Sequence, residues 1–210
     1  MKTGLLLGLV CVFGATQALA DVSDEVHQFQ TRWAQVNYEL EGDAQLEAFE
    51  KLAAEAGSYA EAHADDAGAW IWSGIIKSTY AGAKGGLGAL GLAKESKRDL
   101  ERAMEIDADA LDGSAYASLG TLYYSVPGWP VGFGDDDKAE ELLQKALNLS
   151  PEAIDNNYFY ASYLVSRKRY DEARDYFERA RHAPARPDRP LADSGRQEEI
   201  RLALEAIQGK

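Results

Sequence analysis

KAEELLQKALNLSP, residues 138–151, and DEARDYFERARHAP, residues 171–184, are two versions of one pattern. Each places a small residue, a large apolar residue four positions on, and a second small residue three positions further. These are Ala139, Leu143 and Ala146 in the first, and Ala173, Phe177 and Ala180 in the second, offset by 34 residues. The i, i+4, i+7 spacing puts all three on one face of a helix. Alanine at both ends of that face lets a neighbouring helix approach closely, and the large residue fills the space between. Ser96, Leu100 and Ala103 repeat the spacing more weakly. A further apolar stretch with helical character precedes each copy: Ala69–Ile76, Tyr116–Tyr123 and Tyr158–Leu164. Gly74, Gly120 and Ala161 sit within these stretches beside aromatic residues. An interior glycine weakens a helix by about 1 kcal/mol relative to alanine, so it calls for a compensating close contact.

The pattern resembles the tetratricopeptide repeat, whose helix pairs recur about every 34 residues. Leu119, Gly120, Tyr123, Ala139, Leu143, Ala146 and Pro151 carry the likeness most fully. Ala161, Leu164, Ala173, Phe177 and Ala180 carry it again, with Pro184 one place early; Trp70, Gly74, Leu100 and Ala103 do so in part. The resemblance implies an all-α, right-handed solenoid of antiparallel helix pairs. Three repeats would span residues 67–184, after a degenerate helix pair over 22–64. Pro184, Pro187 and Pro190 interrupt the pattern, and a capping helix is expected over 191–208, started by Asp193 or Ser194.

The N-terminus has a different character. Lys2, an apolar run from Leu5 to Phe13, and Ala18-Leu19-Ala20 have the layout of a cleavable export signal, with cleavage expected after Ala20. Residues 21–210 are then a single domain in a periplasmic protein. The only cysteine, Cys11, falls inside the leader, and the residues before it do not suit lipid attachment. A mature chain from Asp21 would have no disulfide and no thiol nucleophile. No later segment approaches the roughly 20 apolar residues of a membrane span. Acidic residues outnumber basic ones by 35 to 22, for a net charge of −13. That sign disfavours nucleic acid and anionic lipid.

Two departures from the repeat are expected to matter for function. Residues 81–92, rich in glycine and alanine, and residues 126–137 are both insertions between the helices of a pair. Insertions at equivalent positions of consecutive repeats fall on one edge of the stack, so these two loops should be neighbours. The second holds Trp129 and Phe133 among prolines and glycines, stiff enough to present or to bury two aromatic rings. Residues 122–135 also resemble a segment of small bacterial periplasmic tetratricopeptide proteins that include the T component of TRAP-type transporters. That resemblance implies a binding role beside a periplasmic solute-binding protein. Alignment to the repeat family places Thr79, Tyr124, Tyr158 and Ser162 on the concave face, where tyrosine offers area and a polar handle.

Motifs for chemistry are missing or out of context. Gly86, Gly88 and Gly91 match G-x-G-x-x-G in letters, but no strand precedes them. His27, His63 and His182 lack metal-ligand spacing. Asp135, Asp136 and Asp137 suit the start of a helix better than a calcium loop. The residues thus point to a non-enzymatic binding module with no cofactor and no metal, engaging a protein or peptide partner. The alternatives are a small-molecule binder with its pocket between the two loops, or a structural homo-oligomer.

Overall fold

The computed structural model describes residues 23–210. The expected leader, including Cys11, lies outside them. The helices are α1 (Asp24–Glu39), α2 (Gly42–Ala62), α3 (Ala67–Lys84), α4 (Gly86–Asp107), α5 (Ala110–Ser125), α6 (Asp136–Leu149), α7 (Ile154–Ser166), α8 (Tyr170–Arg181) and α9 (Pro190–Ala206). Among the described residues there is no β-strand, and no helix is long and apolar enough to cross a membrane. Three starts are capped by short polar side chains that satisfy a free backbone N–H. Ser23 Oγ accepts from Val26 N, Asp66 Oδ1 from Ala69 N, and Asp135 Oδ1 from Lys138 N. The acidic run at 135–137 therefore starts α6.

Consecutive helices pack as pairs, α3 with α4, α5 with α6, and α7 with α8. The small–large–small faces lie in these contacts. Ser96, Leu100 and Ala103, then Ala139, Leu143 and Ala146, then Ala173, Phe177 and Ala180 are all buried. The interior glycines receive the large residue of the partner helix. A Cβ on Gly74 would lie 2.6 Å from Leu100 Cγ, and one on Gly120 would lie 2.7 Å from Leu143 Cγ. Polar bonds pin the first of these pairs: Ser96 Oγ donates to the Gly74 carbonyl at 2.7 Å, and Asp99 accepts from Ser73 and Lys77.

The odd-numbered helices also touch one another in order, α1 to α3, α3 to α5, α5 to α7, and α7 to α9. Helix α9 then meets α1, which completes a circuit of five helices. Gly195 makes this closure possible, since a Cβ there would fall 2.4 Å from the Tyr38 ring. The last helix thus does more than cover the end of the stack. It bridges the final pair to the first helix.

Two local expectations are corrected. Residues 81–92 do not form a loop: α3 continues to Lys84 and α4 begins at Gly86, with only Gly85 between them. Alanine favours the helix, and the reversal is confined to Gly85 and Gly86, whose φ values of +61° and +60° suit glycine. Neither Asp193 nor Ser194 starts α9. The chain enters it through Pro190 in the first turn, where a missing N–H costs nothing. Asp193 instead accepts from the backbone N and the guanidinium of Arg186.

Candidate binding cavity

Inside the circuit of odd-numbered helices lies a cavity of about 680 Å³. All five helices contribute to its wall. Helix α1 brings Trp33 and Asn37; α3 brings Trp72, Ile75 and Thr79. Helix α5 brings Ser114, Ser118 and Thr121, at helical spacing on one face, and Tyr124 beyond them. Tyr158, Phe159 and Ser162 come from α7, and Arg196 and Glu199 from α9. The start of α4, with Ala89 and Leu90, and the loop residues Pro127 and Val131 make the rim. The segments around 81–92 and 126–131 therefore do meet at one edge, although the first is helical.

The wall is mainly apolar and aromatic with a few oriented polar groups, the usual make-up of a small-molecule site. Most of its hydroxyl protons are already engaged. Thr79 Oγ1 donates to the Ile75 carbonyl, Thr121 Oγ1 to Ala117, and Ser162 Oγ to Tyr158. Trp33 Nε1 donates to Thr79 Oγ1 at 3.0 Å. Burial pushes the Tyr124 phenol up to about 12 and raises that of Tyr158, so both rings stay neutral at physiological pH.

One end of the cavity carries a charge network. Asp155, in the first turn of α7, accepts from Arg196 Nε at 2.8 Å and from an Arg186 terminal nitrogen at 2.7 Å. Arg196 also pairs with Glu199, and Arg186 with Asp193 at 2.6 Å. Burial pushes the Asp155 carboxyl up, but the guanidinium groups of Arg196 and Arg186 more than offset this and hold it well below the usual carboxylate range. The Arg196 guanidinium lies 4.2 Å from the Tyr158 ring centre and 4.8 Å from that of Phe159. Its charge is thus covered on its faces by aromatic rings and at its edge by carboxylates.

Of the residues singled out from sequence, Thr79, Tyr124, Tyr158 and Ser162 lie on this one cavity wall. Trp129 and Phe133 do not line it. Trp129 is 90% exposed at the tip of its loop. Phe133 folds back edge-on to Tyr123, with ring centres 5.6 Å apart, and Lys97 reaches its face. Backbone bonds from Gly134 N to Pro127 O and from Asp135 N to Tyr123 O close the loop on itself. Sequence reasoning passed over Asp155, Arg189, Arg196 and Glu199. A signal for one was present: Arg196 interrupts the apolar stripe of Ala192 and Ile200, and a charge at such a position needs a buried partner.

His63 is exposed and stacked on Tyr59, and among the described residues no group of acidic, histidine or cysteine side chains is arranged to hold a metal ion. No protein-family model matches the chain, and no curated protein sequence matches it either.

Proposed function

We propose that this protein is a tetratricopeptide-like solenoid whose concave face is closed into a small-molecule binding site, and that it works in the periplasm after loss of its first 20 residues. The observation that carries this reading is the cavity of about 680 Å³, walled by all five odd-numbered helices. An open concave groove suits an extended peptide. The bridge from α9 to α1 makes the space better matched to a compact ligand, such as a solute handed to or from a transport partner. The test fills the space. Ser118→Trp on the wall of α5 should leave the helical circular dichroism spectrum in place and abolish ligand-induced melting shifts. Ligands that shift wild type and variant alike would refute a site at this position.

A second reading keeps a protein partner. Trp129 and Val131, 90% and 63% exposed, stand together on a loop held by Pro127 and Pro130. Exposed aromatic groups on a stiff support suit an interface hot spot. Crosslinked pull-down from periplasm should recover a solute-binding protein with wild type and lose it with Trp129→Ala. Equal recovery by both would exclude a role for this loop. Export is tested separately, by intact mass: a mature protein beginning at Asp21 is expected, and retention of Met1 in exported material would contradict it.

A further inference from the structure

The loop between α5 and α6 exposes five successive residues, Pro127 to Val131, none of them charged. A run of exposed apolar residues is a liability on a soluble surface unless it is used. The loop is built to keep the run in place. Phe133 is anchored on Tyr123, whereas Trp129 stays 90% exposed. Pro127 and Pro130 carry no N–H. Those of Val131 and Gly132 both donate to the Gly128 carbonyl at 3.2 Å, and that of Gly134 donates to Pro127 O at 3.0 Å. Much of the backbone at the tip is thus satisfied without water. Across the rim of the cavity, Gly82, Gly86 and Ala89 present a second surface of small residues. In residues 81–93 and 126–134 together, Lys84 is the only charged side chain, and Lys84 and Trp129 are the only ones with a hydrogen-bonding group. One edge of a chain of net charge −13 is therefore uncharged but for a single cation.

We infer that this edge docks on the surface of a phospholipid bilayer, with Trp129 and Val131 entering the interfacial layer and Lys84 at the level of the phosphates. Three observations favour lipid over a protein. A protein–protein interface carries about one hydrogen bond per 100–200 Å², and this edge has two side chains to supply them. A bilayer needs none, but it requires backbone groups to be satisfied internally, as several at the tip are. Tryptophan is also a side chain favoured at membrane interfaces. The acidic remainder of the molecule is repelled by anionic headgroups, so the docking is to zwitterionic lipid and edge first. Asp135, Asp136 and Asp137, exposed at the base of the loop, confine the contact to its tip. The cavity opens at this same edge, so docking places its mouth against the bilayer. The docking itself does not depend on what the cavity holds.

The test floats the protein with extruded vesicles of phosphatidylcholine. The chain is taken from Asp21 on, which keeps every described residue and removes the apolar run 5–13, able to bind lipid by itself. Wild type should float with the vesicles, and Trp129→Ala and Val131→Asp should each lower the bound fraction by at least about fivefold. Both side chains are exposed, so neither variant should alter the helical circular dichroism spectrum. Vesicles with brominated acyl chains should quench the tryptophan emission of wild type but not that of Trp129→Ala. Trp33 and Trp72 are buried, and Trp70 stands about 20 Å from Lys84 along α3. Admixed phosphatidylglycerol should weaken binding, and added salt should restore it. Failure of the wild type to float would overturn the inference. So would flotation that both variants retain, flotation without bromine quenching, or binding strengthened by phosphatidylglycerol. Capture of a solute-binding protein that is lost in Trp129→Ala, with no flotation of wild type, would assign the loop to a protein instead. None of these outcomes bears on the small-molecule reading, which is tested at Ser118.

Discussion

At the residue scale, two glycines of this fold behave oppositely because their surroundings differ. Gly120 is pressed against Leu143, and a Cβ would stand 2.7 Å from the leucine Cγ. Gly120→Ala should destabilise the protein by about 1–3 kcal/mol through overpacking, despite alanine's better helix propensity. Gly82 in α3 has nothing within 4 Å of its would-be Cβ. Gly82→Ala should therefore stabilise by about 0.4–1 kcal/mol. Urea unfolding of the two variants checks both signs at once. Exposed Trp129 belongs to a third class. Its removal should change unfolding free energy by no more than about 0.5 kcal/mol, so an effect on partner capture would not reflect damaged folding.

Asp155 links the residue to its helix. Asp155→Asn would leave Arg196 and Arg186 short of a shared carboxylate, at a cost of about 3–5 kcal/mol near neutral pH. The folded-state carboxyl is held below its ordinary value of 3.8. The stability it contributes is therefore fully present above the unfolded value and is lost as pH falls through it toward the lower folded one. Thermal melts of wild type and Asp155→Asn should keep a constant gap from pH 7 to pH 5 and converge below about pH 4. A gap that persists undiminished at pH 2 would contradict this account.

At the element scale, α9 is the part on which the cavity depends. It packs on its predecessor α8, on α7, and on α1 at the far end of the described chain. Its fit to α1 needs the absent side chain at Gly195, beside the Tyr38 ring. Gly195→Val should push α9 away from α1. The measurement is hydrogen exchange by mass spectrometry, with faster exchange expected over residues 190–206 and 24–39. The pair α5 and α6, joined through Gly120 and Leu143, should keep its protection. A uniform loss of protection would mean that α9 holds the whole stack together and does more than close the circuit.

At the scale of the molecule, the sequence and the structure agree on the repeating core and part at its boundaries. Ala139, Leu143 and Ala146 were legible as one face because helical spacing is local, and so were their counterparts in α8. Thr79, Tyr124, Tyr158 and Ser162, which the resemblance to the repeat family placed on the concave face, line one cavity. The segment 81–92 was not legible. Its glycines read as a loop, although Gly88 and Gly91 are absorbed within α4 and only Gly85 and Gly86 turn the chain. The aromatic loop was located correctly, but its rings have opposite fates: Phe133 finds Tyr123, and Trp129 stays in solvent.

Periodicity, small residues at contact points and helix-starting side chains are properties of neighbours along the chain. They sufficed to set out paired helices from α3 to α8 and the face they share. The closure of α9 onto α1 depends on contacts such as Gly195 with Tyr38, between residues far apart in the chain, and no local spacing encodes it. The same holds for the cavity chemistry. Whether an arginine is paired depends on which carboxylates the fold brings to it: Arg186 and Arg196 receive theirs, while Arg189 receives the face of Trp72. That difference sets the three arginines apart, and it arises only when α9 and the segment before it pack against α7 and α3.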